Sequence, residues 1–104
     1  MTRGEVWWAR MPLPVGRRPV VLVSRDTAYA VKTKVTVAEV STTVRGIPSE
    51  VPLGTGDGLP RRCAVNTDHL VTISKAHLEA RIALLRPEKL AVLDEALRFS
   101  LGLG

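Results

Sequence analysis

Apolar and polar positions along this chain follow two periods, and the shorter one, two residues, dominates. Gly4–Met11 reads as a first strand. Its adjacent Trp7 and Trp8 must then point to opposite faces, one into the core and the other outward. Pro12, Pro14 and Gly16 break the pattern and mark a short turn. Val20–Val23 is apolar without alternation, the mark of a strand buried on both faces, so a second strand over 19–24 closes a hairpin. Pro19 fixes its own φ and holds Arg18 extended at the mouth of that strand, a good place to keep a charge still. Arg25–Ala30 is polar and short, a loop or a single helical turn. Thr33–Ser41 alternates β-branched and polar residues and predicts a third strand. Val35, Val37 and Val40 cannot share one face of a regular strand, which points to a bulge near Ala38–Glu39. Ile47–Leu53 follows, interrupted by Pro48 and demoted to an edge by Pro52.

Gly54–Gly58 is a glycine-rich turn, but no helix with a Lys-Ser/Thr pair follows it, so it is not a phosphate-binding P-loop. Arg61–Asn66 predicts a fifth strand, Val71–Ile73 a short extended piece, Ser74–His77 a turn or one helical turn, and Ala80–Leu85 a last strand. The longer period appears once, in Pro87–Leu101, where Leu90, Leu93, Leu97 and Leu101 form a helical stripe. Pro87 suits the first helical position, Glu88 the positive end of the dipole, and Gly102 the stop. The pattern therefore predicts one mainly β domain over 1–104: a small, strongly curved barrel of five to seven short strands with a C-terminal helix. Barrels of this kind often bind nucleic acid on an open face.

Composition narrows this picture. With 104 residues, 45% of them hydrophobic, the chain can bury a core, and its apolar runs are too short to cross a membrane. MTRGEVWWARMP has no apolar h-region, which argues against a secretory signal. Cys63 is alone, cannot form an internal disulfide, fits the cytoplasm and reads as a small buried apolar residue. The formal net charge is +5 and the pI about 10.1. Residues 1–62 carry ten Lys/Arg against five Asp/Glu, and residues 63–104 five against five, so the whole excess lies in the first part. A basic region of that kind suits a polyanion: RNA, DNA or an acidic protein segment.

Five motifs in one order carry a resemblance. They are RGEVW at 3–7, GRRPVVLVS at 16–24, VAEVSTTVRGIPSEVPL at 37–53, CAVNTDHLVTISKAHL at 63–78 and LDEALRFSLGL at 93–103. Together they resemble the MazF/PemK family of toxin endoribonucleases, the mRNA interferases of type II toxin–antitoxin systems. The resemblance implies an SH3-like or CcdB-like barrel that acts as a cytoplasmic homodimer. It implies cleavage of single-stranded RNA at short sequences, without metal or cofactor, and hence inhibition of translation. The attacking group would be the neighbouring ribose 2′-hydroxyl. It also implies a MazE-like antitoxin whose flexible, acidic tail covers the RNA groove.

Arg18 falls on the family's active-site arginine, which would hold the scissile phosphate and stabilise its extra negative charge. Ser41 falls where many relatives carry an active-site threonine, and Thr42 takes that role if the register is off by one. Asp68 matches a carboxylate that some relatives use as base or RNA contact; it is equally a turn-initiating residue. Asn66 stands where certain relatives carry a second arginine proposed as general acid. Asparagine cannot serve so, which leaves Arg18 or water. His69 adjoins Asp68 within reach of the groove. Further RNA contacts implied are Arg17, Arg25, Thr43, Arg45, Arg61 and Arg62, with Trp8 as a stacking surface. The loop at 12–17 is much shorter than the one relatives fold over the site. Two other readings stand beside this one: a toxin of the same barrel that acts on a protein such as a gyrase, and a nucleic-acid-binding barrel without chemistry. The latter calls for stacking aromatics, and at 4% the chain has few to offer.

Overall fold

The computed structural model describes residues 1–104. Its elements are β1 (Glu5–Arg10), β2 (Arg17–Leu22), α1 (Ala28–Val31), β3 (Lys34–Ser41), β4 (Glu50–Leu53), β5 (Cys63–Ser74), β6 (Leu78–Leu84) and α2 (Pro87–Leu101). The strands form one curled, six-stranded sheet in the order β4-β5-β3-β2-β1-β6, antiparallel throughout, within the five to seven expected. The C-terminal helix α2 covers one of its faces. No helix is long and apolar enough to cross a membrane.

The sheet is buried on both faces, which is why β2 carries most of the unbroken apolar run Val20–Val23. Val35 and Val37 pack with Ala9, Val20, Leu22, Tyr29 and Ile73 in one cluster. Ala38 and Val40 pack with Val6, Val21, Val51, Leu93 and Ala96 in the other, under α2. The valines of β3 therefore alternate regularly between two cores, and β3 itself needs no bulge. The pairing does shift between Ala38 and Glu39, but the extra residues belong to β5. Ala38 pairs with Leu70 and Glu39 with Asn66, so Thr67, Asp68 and His69 are looped out of β5. The strand expected at 61–66 and the extended piece at 71–73 are thus one strand with an internal bulge.

β2 begins two residues earlier than the apolar run suggests. Arg17 and Arg18 are the first two residues of the strand, at its mouth as expected, and pair with Arg10 and Ala9 of β1. Toward β3 the ladder starts only at Val20, one residue after Pro19, which has no N–H to donate. The ends of β2 and β3 are left open to one another at Arg18 and Ser41. β4 is shorter than the expected 47–53 and lies at a sheet edge, as Pro52 requires.

α2 has the predicted bounds. Leu93 and Ala96 are fully buried, Leu90 and Leu97 half-buried, while Leu101 at the end of the stripe is 56% exposed. Gly4, at φ +92°, passes beneath the helix where a Cβ would lie 3.1 Å from Leu90 Cδ1. Gly102, at φ +69°, ends the helix, with the Leu103 N–H donating to the Arg98 carbonyl at 2.8 Å.

Candidate active site

Side chains alternate along a strand, so Arg18 and Val20 of β2, Glu39 and Ser41 of β3 and Asn66 of β5 share one face. Val20 pairs with Glu39 as the last pair of the β2–β3 ladder, so Arg18 and Ser41 each lie two residues beyond its end. Arg18 Nη1 donates to Glu39 Oε1 at 3.0 Å, with the side chains 35% and 12% exposed respectively. The other edge of the guanidinium, Nε and Nη2, has no partner in the protein. It presents a planar fork that fits two oxygens of a phosphate. Ser41 Oγ accepts the Thr43 N–H at 3.1 Å, which leaves its own hydrogen free to donate. Thr42 is exposed beside it.

Glu39 was not singled out by sequence reasoning. The available signal was its phase: it falls on the same alternation as the buried Val35 and Val37, where an apolar residue is usual.

Behind this face a buried polar network holds the bulge. Asn66 Oδ1 accepts the Asp68 N–H at 3.0 Å and turns the chain outward. The Thr67 hydroxyl lies 2.6 Å from the Ser49 carbonyl and 3.2 Å from that of Ala96, and the Thr67 N–H donates to Ser49 at 2.9 Å. Glu50 Oε1 accepts the N–H groups of Arg45 at 2.8 Å and Gly46 at 2.9 Å. The segment that carries Thr42, Thr43 and Arg45 is thereby tied to the bulge. Asn66 itself is buried and shapes the backbone here. Asp68 and His69 stand exposed on the bulge, and neither bonds to Arg18.

On the other face, around the strand end, a cavity of about 220 Å³ is lined by Trp8, Pro19, Ser41, Thr42, Arg61 and Cys63, among others. Trp7 takes the core position: it packs on the Val20–Val37 cluster, and its Nε1 donates to Glu5 Oε1 at 2.8 Å. Trp8 is the tryptophan that faces the cavity. The Arg17 guanidinium lies 4.3 Å over its ring. Cys63 is buried, and burial, followed by the charge of Asp57, pushes its thiol pKa up, so it stays protonated at neutral pH.

Arg61 and Arg62 are exposed at the start of β5, and Arg45 is exposed on the segment above. Arg25 is not brought to this site. It lines a separate groove of about 650 Å³ with Arg3, Asp94 and Arg98, beyond the far end of β2. No three His, Cys, Asp or Glu side chains gather as a metal-binding group.

A curled, half-barrel sheet covered on one face by a C-terminal helix, with an arginine held by a carboxylate on the other, is a small β fold of the toxin class that the family match names. Residues 2–101 match the family described as PemK-like, MazF-like toxin of type II toxin–antitoxin system, and the chain belongs to that family. It is 45% identical over 96 residues to the probable endoribonuclease MazF5 of Mycobacterium tuberculosis, covering 91% of this chain and 87% of that one. It is 35% identical to the probable endoribonuclease MazF2 of the same species over 98% of this chain and 99% of that one. Among solved structures, the Mycobacterium tuberculosis toxin MazF-mt6 superposes with a TM-score of 0.88 at 31% identity, over 96% and 98% of the two chains. A mycobacterial endoribonuclease in complex with its cognate antitoxin gives 0.89 at 29% identity, over 100% and 97%.

Proposed function

We propose that this protein is the endoribonuclease toxin of a toxin–antitoxin pair, cutting single-stranded RNA at short sequences by 2′-hydroxyl transesterification without a metal ion. The observation that carries the reading is Arg18: Glu39 engages only its Nη1, which leaves the Nε/Nη2 edge without a protein partner. That fork binds the non-bridging oxygens of the scissile phosphate, and the held cation stabilises the extra charge of the phosphorane. Ser41, or Thr42 one residue on, donates to a phosphate oxygen. Binding of the flanking nucleotides holds the ribose oxygen in line with the leaving 5′-oxygen.

Arg45, Arg61 and Arg62 track the RNA backbone, and the cavity beside Trp8 receives a nucleobase. Its polar groups, Ser41, Thr42 and Arg61, present hydroxyl and guanidinium donors to the base. The protein works in the cytoplasm as a homodimer. Its basic groove is neutralised by a MazE-like antitoxin with an acidic tail. The mycobacterial relative solved with its cognate antitoxin, and the net charge of +5, support that partner.

The purified protein in EDTA is incubated with mixed-sequence single-stranded RNA and with the same RNA carrying 2′-deoxy residues. Discrete cuts are expected, ending in 2′,3′-cyclic phosphate and 5′-hydroxyl and missing at 2′-deoxy positions. Cuts at the 2′-deoxy positions, or a requirement for added metal, would refute this mechanism.

A further inference from the structure

The carboxylate that lies against Arg18 has a part of its own, and its assignment rests on the transesterase reading above. We infer that Glu39 is the general base of the reaction. It takes the proton of the attacking ribose 2′-hydroxyl while Arg18 holds the phosphate.

Three observations carry this. The first is the geometry of the pair. Glu39 Oε1 touches only Nη1 of Arg18, at 3.0 Å, and Oε2 has no partner in the protein. A phosphate on the free Nε/Nη2 edge sits one guanidinium width from the carboxylate. The attacking 2′-oxygen must come within about 3–3.5 Å of phosphorus, and the proposed step has its hydrogen turned to the unpartnered Oε2. The second is position. Glu39 is 12% exposed, in phase with the buried Val35 and Val37, and Arg18 is its one charged partner, so a phosphate that engages Arg18 also meets this carboxylate.

The third is the lack of a rival. Glu50 Oε1 holds the Arg45 and Gly46 N–H groups and Glu79 holds Arg17, and neither carboxylate bonds to Arg18. Asp68 and His69 stand on the exposed bulge without a bond to Arg18. The short turn at 12–17 contains no Asp, Glu or His. Glu39 is the one carboxylate on the phosphate-holding arginine.

The 2′-oxygen forms a bond to phosphorus as its proton passes to Glu39 Oε2. The bond from phosphorus to the 5′-oxygen breaks, and that oxygen takes a proton from water. Glu39 then returns its proton to solvent. The products are a 2′,3′-cyclic phosphate and a 5′-hydroxyl, and no electrons change hands.

The test is Glu39→Gln, which keeps size and removes basicity, with a thermal melt to confirm folding. Turnover of RNA is expected to fall at least about a hundredfold, the low end for loss of a general base. Binding of a 2′-deoxy RNA is expected to hold or tighten, because the charge competing for Arg18 is gone. Glu39→Ala with added formate provides a second readout, and also serves if the Gln variant loosens the strand. Formate is expected to restore cleavage in the Ala variant and to leave the parent unchanged. Cleavage by the Gln variant at the parent's rate overturns the assignment. So does a loss of analogue binding without formate rescue, which makes Glu39 a mere holder of Arg18. Failure of the parent itself to cut RNA overturns the transesterase reading beneath it, which is a separate outcome.

Discussion

Arg17 stacks on Trp8 at 4.3 Å and reaches on across β1, so that its Nε lies 2.9 Å from Glu79 Oε1 on β6. The residue thus ties three strands together on the rim of the Trp8 cavity. Both charged partners are well exposed, at 54% and 36%, so the contact adds little to stability, about 0–1 kcal/mol. Its weight falls on ligand binding. Arg17→Ala is expected to change Trp8 fluorescence, weaken RNA binding and lower the slope of log affinity against log salt by about one. Titrations of a 2′-deoxy RNA at several salt concentrations measure this. An unchanged slope would remove Arg17 from the RNA path.

Thr67 is the pin of the bulge. Thr67→Val keeps the shape and removes the hydroxyl that lies 2.6 Å from the Ser49 carbonyl. A loss of about 1–3 kcal/mol is expected, read as a lowered midpoint in urea, because a buried group loses its partner. Thr67→Ser is expected to retain most of that stability. Equal losses in both variants would mean that the methyl group, not the hydroxyl, holds the bulge.

Glu5 makes stability depend on pH in acid. Burial works against its charged form, but the hydrogen bonds from Trp7 and Thr2 outweigh it, and its pKa lies below the ordinary 4.5. Below 4.5 the unfolded chain binds a proton that the folded protein still refuses, so stability rises with pH in that window. The contribution is complete above 4.5 and is lost as pH falls through the folded value. Urea midpoints between neutral pH and pH about 3 are expected to fall less in Glu5→Gln than in the parent. Parallel profiles would assign the acid sensitivity to other carboxylates.

Cys63 is expected to be inert toward iodoacetamide at neutral pH, since burial and Asp57 raise its pKa and only the thiolate reacts. Labelling is expected to become rapid in denaturant. Fast labelling of the native protein would place the Cys63 thiol at the mouth of the cavity rather than in its wall.

The bounds of α2 were legible in the sequence because they depend on local chemistry, Pro87 at the start and Gly102 at the stop. The two-sided burial of β2 was legible in the same way, from the run Val20–Val23, while that of β3 was not, because its alternation with polar residues read as a strand with one buried face. The bulge in β5 was not, because it is set at long range by Thr67 meeting Ser49 and Ala96. The early start of β2 depends on pairing with β1, which an apolar run does not report. Arg18 and Ser41 could be marked from the family motifs, and both lie two residues past the last pair of the β2–β3 ladder. Glu39 escaped because a lone polar residue in a valine strand acquires meaning only when its neighbour is known. Arg25 follows directly on the motif that carries Arg18 but stands beyond the opposite end of the strand, a separation that closeness in sequence conceals.

The most direct measurement is the single-turnover cleavage rate in EDTA of Arg18→Ala and Arg18→Lys beside the parent, on one RNA cut at a defined position. Arg18→Ala is expected to lose about 10²–10³ in rate, the usual cost of removing a preorganised group that stabilises transition-state charge. Arg18→Lys, with charge but no planar fork, is expected to fall between the two. A folded Arg18→Ala protein that cuts within about threefold of the parent, a change too small for a group acting on the transition state, would contradict the placement of the scissile phosphate on Arg18.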